Sequence, residues 1–287
     1  MDVIKSRELN IKEIFDIGAT IYKKNANFIL LYCIVLNAIM VYLINFLADT
    51  LAYDINGVYE DYEYLGLTDV IVNFIVIILL IIIASSMYLI FARMAMNSLY
   101  DRSFNLKDAL TACKKMPKYM LTSVFYLLII LPAFIPIGIL LGLFYYIGSG
   151  LLITLLILLI FLAIYILLGF SFYPFIIAHS NIWGFKSLFR SRRLIKGNWL
   201  KTLLVFFISV VGTGMFFIIS DFVLNLVGQN PIFDIILQVI STLLSSYFLI
   251  CFIVWFLNRN YNYILETEGD YEEDYEEDYE KNDEEEL

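Results

Sequence analysis

The uncharged stretch VIVNFIVIILLIIIASSMYLIFA, residues 70–92, decides the fold class of this chain. Its length exceeds the roughly 20 residues that an α-helix needs to cross a hydrocarbon layer about 30 Å thick. The stretch is typical of the chain, because 61% of the 287 residues are hydrophobic, against roughly 45–50% in soluble domains. The sequence therefore predicts an all-α integral membrane protein.

Five further apolar stretches accompany residues 70–92, and together they predict six transmembrane helices. The predicted spans are about 28–47, 70–92, 119–146, 151–177, 202–226 and 232–257. Because consecutive helices joined by short connections usually pack side by side, we expect three helical hairpins. All six spans belong to one membrane domain, residues 1–265.

All 19 Lys and Arg residues lie on one side of this predicted domain. The connections on the opposite side, residues 48–69, 147–150 and 227–231, contain none of them. Short cytoplasmic loops retain Lys and Arg, whereas translocated loops are poor in both. The sequence therefore predicts a multi-pass protein of the cell membrane with its N-terminus and C-terminus in the cytoplasm.

The net charge of −9 combines two parts of opposite sign. Residues 266–287 carry 14 acidic residues and one Lys, a charge of −13, and the rest of the chain carries +4. A segment with this charge density buries too little apolar surface to offset the entropy lost on ordering. We expect an acidic, disordered cytoplasmic tail that offers a binding site to a protein partner.

A short motif recurs ahead of each predicted hairpin. Residues 10–15 (NIKEIF) align without gaps with 105–110 (NLKDAL) and 184–189 (GFKSLF). In all three, apolar residues recur at i, i+3 and i+4, which is typical of an amphipathic helix. We expect each motif to form a cytoplasmic interfacial helix with its apolar face in the acyl boundary and its basic face toward the headgroups. The alternative is an ordinary basic connector.

Basic clusters near these segments are the candidate lipid-binding residues. The predicted contacts with anionic headgroups are Lys114, Lys115, Lys118, Arg190, Arg192, Arg193 and Lys196. Each Lys or Arg beside an anionic leaflet gains about 1 kcal/mol. The alternative is retention in the cytoplasm by charge alone. We expect no nucleic-acid partner, because these bases are held at a negatively charged membrane surface.

A second group of residues favours transport. Pro132 and Pro136 share one face of the predicted third span, and a broken helix there would expose backbone carbonyls to a substrate. Asp221 and Asp234 flank the last outer turn, where two carboxylates could form an outward-facing cation or proton site. The alternatives are a kinked packing helix and two hydrated carboxylates at headgroup level.

Residues that carry enzyme chemistry are sparse. His179 is the only histidine, and no nucleophile, zinc-binding or phosphate-binding motif accompanies it. The three cysteines form neither a CxxC pair nor an even framework. We therefore expect a non-enzymatic protein without a cofactor or metal, and keep an enzyme as a third alternative.

Two segments resemble a bacterial membrane family. They are Tyr22-Lys23-Lys24-Asn25 and residues 187–199, SLFRSRRLIKGNW. The likeness covers about residues 8–260 and is to the membrane domain found ahead of some glycerophosphodiester phosphodiesterases and to related stand-alone six-helix proteins. In the fused proteins a separate barrel performs hydrolysis, so the resemblance implies a membrane module without hydrolase activity. The expected role is binding of lipid or a protein partner, with a small-solute or lipid transporter as the alternative.

Overall fold

The computed structural model describes residues 7–57, 67–147, 150–180, 182–227 and 231–267. Within these ranges the chain forms helices and no strand. The helices are α1 (Ile11–Lys24), α2 (Ala26–Gly57), α3 (Leu67–Leu99), α4 (Leu106–Cys113), α5 (Met116–Ile147), α6 (Gly150–Gly169), α7 (Tyr173–His179), α8 (Phe185–Ile195), α9 (Trp199–Val227) and α10 (Pro231–Thr267). The predicted acidic tail lies outside the described residues from residue 268 onward, so its disorder stays a prediction.

Six stretches of the described chain are long and apolar enough to cross a membrane. They are Ala26–Leu47, Ile71–Leu99, Met116–Leu143, Ile153–His179, Trp199–Ser220 and Ile235–Ile264. Each overlaps one predicted span, which confirms the all-helical fold class and the six apolar helices. Large apolar side chains on these helices stay exposed, such as Ile218 at 72%, as a lipid-facing surface requires.

α10 is the central helix of the bundle. It contacts α1, α2, α3, α8 and α9, and every residue from 250 to 260 is buried. Two polar side chains in this segment bond to other elements: Trp255 Nε1 donates to Thr202 Oγ1 at 3.0 Å, and Asn258 Oδ1 accepts from the Leu9 N–H at 3.1 Å. The core of the fold therefore lies at the end of the bundle that carries the basic residues.

α1 directs its apolar stripe toward α10. Its buried residues are Ile14, Gly18 and Ile21, and a Cβ on Gly18 would lie 2.5 Å from Cys251 Sγ. Only glycine permits so close an approach between the two helices. We expected this face in the acyl boundary; in the structure it packs against protein, because the small residue in the stripe lets a second helix fit.

α5 continues as one helix through Pro132 and Pro136, so the predicted break in the third span is wrong. Both prolines are exposed on the outside of the bundle. A proline inside a membrane helix removes one backbone hydrogen bond, and local adjustments satisfy the freed carbonyl. The third span thus offers a substrate no interrupted backbone between residues 116 and 147.

The helix break lies in the fourth span instead. α6 ends at Gly169 and α7 begins at Tyr173. Ser191 of α8 joins the two ends: its hydroxyl accepts from the Phe172 N–H at 3.0 Å and donates to the Gly169 carbonyl at 3.1 Å. A fully buried serine therefore satisfies backbone groups that the break would leave without partners.

Candidate anion-binding site

Four basic side chains and His179 meet at one end of the bundle, and we call these five residues the inner cationic cluster. They are Arg93 of α3, Lys115 before α5, Lys118 of α5, His179 of α7 and Arg190 of α8. Lys115 Nζ donates to the carbonyls of Ala178 at 3.1 Å and Ser180 at 3.4 Å, on either side of His179. The charges of Arg93, Lys115 and Arg190 all act on the His179 ring.

The ammonium group of Lys115 lies in an unfavourable environment for a positive charge. Burial, together with the charges of Arg93 and Lys118, lowers the pKa of Lys115 to about 8. Desolvation and neighbouring like charges both disfavour the protonated form of a lysine. A bound anion would act in the opposite direction and raise this pKa.

Three ion pairs lie within the described ranges. They are Arg7–Glu13, Lys24–Asp101 and Lys201–Glu8. Neither Arg93 nor Lys115 joins an ion pair within the described ranges, and Arg93 Nε is a buried donor without a hydrogen-bond partner there. A buried donor left without an acceptor costs about 1–3 kcal/mol, and more when it is charged. An anion with several acceptor oxygens would satisfy such donors and reduce the repulsion among the cations.

Asn260 of α10 completes the site. Its Oδ1 accepts a hydrogen bond from Arg190 Nη2 at 3.1 Å, while its Nδ2 is a buried donor without a partner among the described residues. Asn260 is 1% exposed, so bulk water does not satisfy this donor. The amide therefore adds a neutral hydrogen-bond donor to the charged donors of the inner cationic cluster.

The remaining predicted headgroup contacts lie outside the cluster, and we call them the outer bases. They are Lys114, Arg192, Arg193 and Lys196, all with exposed side chains. Burial and contacts separate the two groups on α8. Arg190 is half-buried and donates to Asn260 of α10, whereas Arg192 and Arg193 are exposed.

A neighbouring group of bases has a carboxylate of its own. Glu8 Oε1 accepts from Lys201 Nζ at 2.8 Å. In the amide orientation that satisfies both neighbours, Asn198 donates to Glu8 at 2.7 Å and accepts from Arg259 Nη1 and Nη2 at 3.1 Å each. Arg259 also donates from Nε to the Leu194 carbonyl at 3.3 Å. This network is structural, because polar partners surround its buried guanidinium.

Sequence reasoning did not identify Arg93 and Asn260, and it treated His179 as an isolated residue at the membrane interface. One signal was present for Arg93, which lies between the apolar residues Ala92 and Met94 at the end of a span; both of these are buried. Because its two neighbours in sequence are buried, the Arg93 side chain is partly buried as well. Asn260 gave no such signal, because its role depends on the contact between α10 and α8.

The predicted outward-facing site has two residues, Asp221 and Asp234. Asp221 lies on α9 and Asp234 on α10, and their side chains lie outside the described part of the structure. The outward-facing cation or proton site stays a prediction. Among the described residues, no group of three or more His, Cys, Asp or Glu side chains could hold a metal ion.

A crevice of about 600 Å³ lies on the membrane side of the inner cationic cluster. We call it the tyrosine crevice. Its lining residues are Tyr88, Tyr119, Tyr126, Ser171, Tyr173, Pro174, Phe175, Phe206, Ser209, Val210, Thr213, Gly214, Ser245, Phe248, Leu249 and Phe252. The rings of Tyr119 and Tyr173 stack 5.6 Å apart at 20°, and the Tyr173 hydroxyl lies 2.9 Å from Ser123 Oγ. The crevice is an apolar space with hydroxyl groups along its walls.

The chain matches no protein-family model, no curated protein and no solved structure. The resemblance to the membrane domain of glycerophosphodiester phosphodiesterases therefore stays a prediction. Since fold alone does not determine function, the functional argument depends on the chemistry of the site.

Proposed function

We propose that this chain is a non-enzymatic, multi-pass protein of the cell membrane that binds an anionic lipid headgroup at the inner cationic cluster. The observation that carries the proposal is the convergence of Arg93 and Lys115 on one site, with no ion pair to either side chain in the described ranges. A phosphate-containing headgroup supplies negative charge and several acceptor oxygens. It therefore complements the charged and amide donors of the site.

The distribution of basic residues supports an orientation with this site in the cytoplasmic leaflet. All 19 bases belong to segments at one end of the predicted topology, and cytoplasmic loops of membrane proteins retain such residues. The cytoplasmic leaflet also holds the anionic lipids that attract Lys and Arg. Topology and ligand chemistry thus agree on the same side of the membrane.

The short helices α4 and α8 support contact with the lipid interface. Each exposes a pair of large apolar residues one turn apart, Leu106 with Leu110 and Phe185 with Phe189. Such pairs would enter the acyl boundary while neighbouring bases stay at headgroup level. We propose that α4 and α8 are interfacial helices, each preceding a hairpin, and that α1 precedes the first hairpin as a packing helix.

Quantitative mass spectrometry of lipids that co-purify in mild detergent tests the proposal. The test variant is Arg93→Gln with Lys115→Gln, and the matched control, which removes the same charge, is Lys114→Gln with Lys196→Gln. We expect the test variant to retain at least about tenfold less anionic lipid, since a hydrogen bond to a charged group contributes about 1.5–3 kcal/mol and each 1.4 kcal/mol is about tenfold in affinity. The control should retain nearly the wild-type amount.

Equal retention by the two double variants would overturn the proposal. Circular dichroism and size-exclusion chromatography establish that both variants fold. Arg93→Lys provides a further check, because it keeps the charge and should keep most of the bound lipid.

A second candidate function is transport of a small solute or lipid. The observation that favours it is the interruption between α6 and α7, since discontinuous helices form the substrate sites of many transporters. Flux of labelled lipid across vesicles that contain the purified chain tests this candidate. Flux that falls in the Ser191→Ala variant, which disturbs the interruption, would support transport, and vesicles without protein-dependent flux would exclude it.

A further inference from the structure

The tyrosine crevice and the inner cationic cluster lie at successive levels of the same helices. Tyr119 follows Lys115 by four residues, so the two side chains share one face at the start of α5. On α7, Tyr173 and His179 are separated by about 9 Å along the axis at 1.5 Å per residue. Tyr173 lines the crevice, and His179 belongs to the cluster. A ligand held at the cluster could therefore extend into the crevice.

The chemistry of the crevice differs between its walls. Tyr88, Tyr119, Tyr126 and Tyr173 come from α3, α5 and α7, helices that also carry Arg93, Lys118 and His179, and Phe206, Val210, Phe248, Leu249 and Phe252 come from α9 and α10. No hydrogen bond links the hydroxyls of Tyr88 and Tyr126 to another described residue. Two donors are thus available on helices that the crevice shares with the cluster, and the α9 and α10 side is mostly apolar.

The apolar part of the crevice contains usable space. Gly214 of α9 is among its lining residues, and a Cβ built on Gly214 would meet no atom within 4 Å. A volume of about 600 Å³ falls within the range of roughly 300–1,000 Å³ that is usual for ligand pockets. An elongated apolar group therefore fits without displacement of a side chain.

We propose that the tyrosine crevice holds an acyl chain and its ester linkage from the glycerophospholipid whose phosphate binds at the inner cationic cluster. This inference rests on the proposed function and identifies the ligand class as a diacyl glycerophospholipid. The Tyr88 and Tyr126 hydroxyls donate to ester oxygens, and the phenylalanine side chains contact the chain. The charged, hydroxyl and apolar groups of the site thus complement the phosphate, ester and acyl chain of such a lipid.

The first test fills the crevice and measures affinity for dioleoyl phosphatidylglycerol by native mass spectrometry. The test variant is Gly214→Leu, and the matched control is Gly138→Leu on α5, where a Cβ also meets nothing within 4 Å and which does not line the crevice. Because a side chain in an occupied site forces the ligand out, we expect about tenfold weaker binding to Gly214→Leu. Binding to Gly138→Leu should stay within about twofold of wild type.

Equal affinities of the Gly214→Leu and Gly138→Leu variants would overturn this inference. The proposed function would survive that result if Arg93→Gln with Lys115→Gln still weakened binding. Unchanged lipid binding by Arg93→Gln with Lys115→Gln would instead contradict the proposed function. The two failures are therefore distinguishable.

A second test applies even if Gly214→Leu lowers the yield of folded protein. Tyr126→Phe removes one hydroxyl and leaves the ring, so it should weaken binding of the diester lipid several-fold, by about one hydrogen bond. A diether analogue lacks the ester carbonyl and should bind wild type and Tyr126→Phe equally. An effect of the same size on both lipids, or on neither, would contradict an ester in the crevice.

Discussion

Lys114 and Lys115 are neighbours in sequence and belong to different environments in the structure. Lys115 lies in the inner cationic cluster, where its ammonium group donates to two carbonyls around His179; Lys114 is exposed with the other outer bases. The same contrast separates Arg190 from Arg192 on α8. Both groups of bases contribute positive charge to this end of the bundle. Lys115 and Arg190 are in addition fixed by hydrogen bonds to other helices, and a defined anion site requires such fixed donors.

α8 contributes to this difference: its buried face packs against the bundle, Arg190 donates to Asn260, and Arg192 is exposed. Ser191 on that face accepts from Phe172 and donates to Gly169 across the break in the fourth span. The break in turn sets the start of α7, which ends at His179. One hydroxyl thus positions two elements that carry residues of the inner cationic cluster.

The largest effect should come from removal of this hydroxyl. Ser191→Ala leaves a buried N–H and a buried carbonyl without their partner, so we expect the free energy of unfolding to fall by about 1–3 kcal/mol. Lipid binding should weaken as well, because Arg190 and His179 lose their relative position. Thermal denaturation in detergent measures the first effect, with Arg192→Gln on the exposed side as control. A loss equal to that of the control would mean that Ser191 does not hold the break.

A smaller effect should appear with pH, and it separates Lys115 from the outer bases. Because burial and neighbouring cations lower the pKa of Lys115 to about 8, this side chain loses its charge as the pH rises from 7 to 9. Affinity for phosphatidylglycerol, whose charge is constant in that range, should therefore fall several-fold. Lys115→Arg should abolish this dependence, since arginine keeps its charge.

As pH rises, the free energy of unfolding should change in the opposite direction to the lipid affinity: it should increase. The folded state disfavours protonated Lys115, so between about pH 8 and the ordinary lysine value the unfolded chain binds more protons and stability rises with pH. Unfolding measured without anionic lipid should show this rise in wild type and lack it in Lys115→Gln. An identical pH profile for the two proteins would show that the Lys115 ammonium group is fully hydrated in the folded state.

Removal of the N-cap of α4 should lower the free energy of unfolding by about 1 kcal/mol and leave the inner cationic cluster intact. Asn105 caps α4 by accepting from the Asp108 N–H at 3.0 Å, and the Asp108 carboxylate accepts from the Asn105 N–H at 3.1 Å. Asn105→Ala removes one of these bonds, and such substitutions cost typically about 1 kcal/mol. Lipid retention should stay near wild type, because Lys115 is held by carbonyls around α7. Retention that falls with stability would show that α4 positions the cluster.

The local features of the fold and three bases of the site, Lys115, Lys118 and Arg190, could be predicted from the sequence, whereas the separation of these bases from the outer bases could not. Span length follows from apolar runs, and the cap of α4 follows from an Asn three residues before an Asp. Lys114 and Lys115 have nearly the same local sequence, so their separation depends on how α5 packs beside α7. A break at Pro132 and Pro136 was one of two alternatives for the third span. The signal for the break in the fourth span was Gly169 followed closely by Pro174, because proline is well placed in the first turn of a new helix.

The smallest effect should come from the outer bases themselves. Lys114→Gln with Lys196→Gln removes two exposed charges that no described ion pair includes. Exposed substitutions of this kind change stability by about 0.5 kcal/mol or less, and thermal denaturation should detect almost no shift. A loss well above this value would show that the outer bases support the fold.

Deletion of residues 266–287 should likewise leave stability close to wild type, because the predicted tail is dense in charge and has few apolar residues. Binding of a basic protein partner should fall on deletion, and in the intact chain it should depend steeply on salt, since exposed charges more than about 8 Å apart are largely screened at physiological ionic strength. Pull-down at increasing salt measures this dependence. A truncated chain that unfolds many degrees earlier would show that the tail is part of the fold.

The most direct test of lipid recognition is an experimental structure of the chain in nanodiscs that contain phosphatidylglycerol. We predict a headgroup phosphate within about 3 Å of donor nitrogens of Arg93 and Lys115, in hydrogen-bond range. Phosphate density restricted to Lys114, Arg192, Arg193 and Lys196, with none at Arg93 and Lys115, would contradict the account.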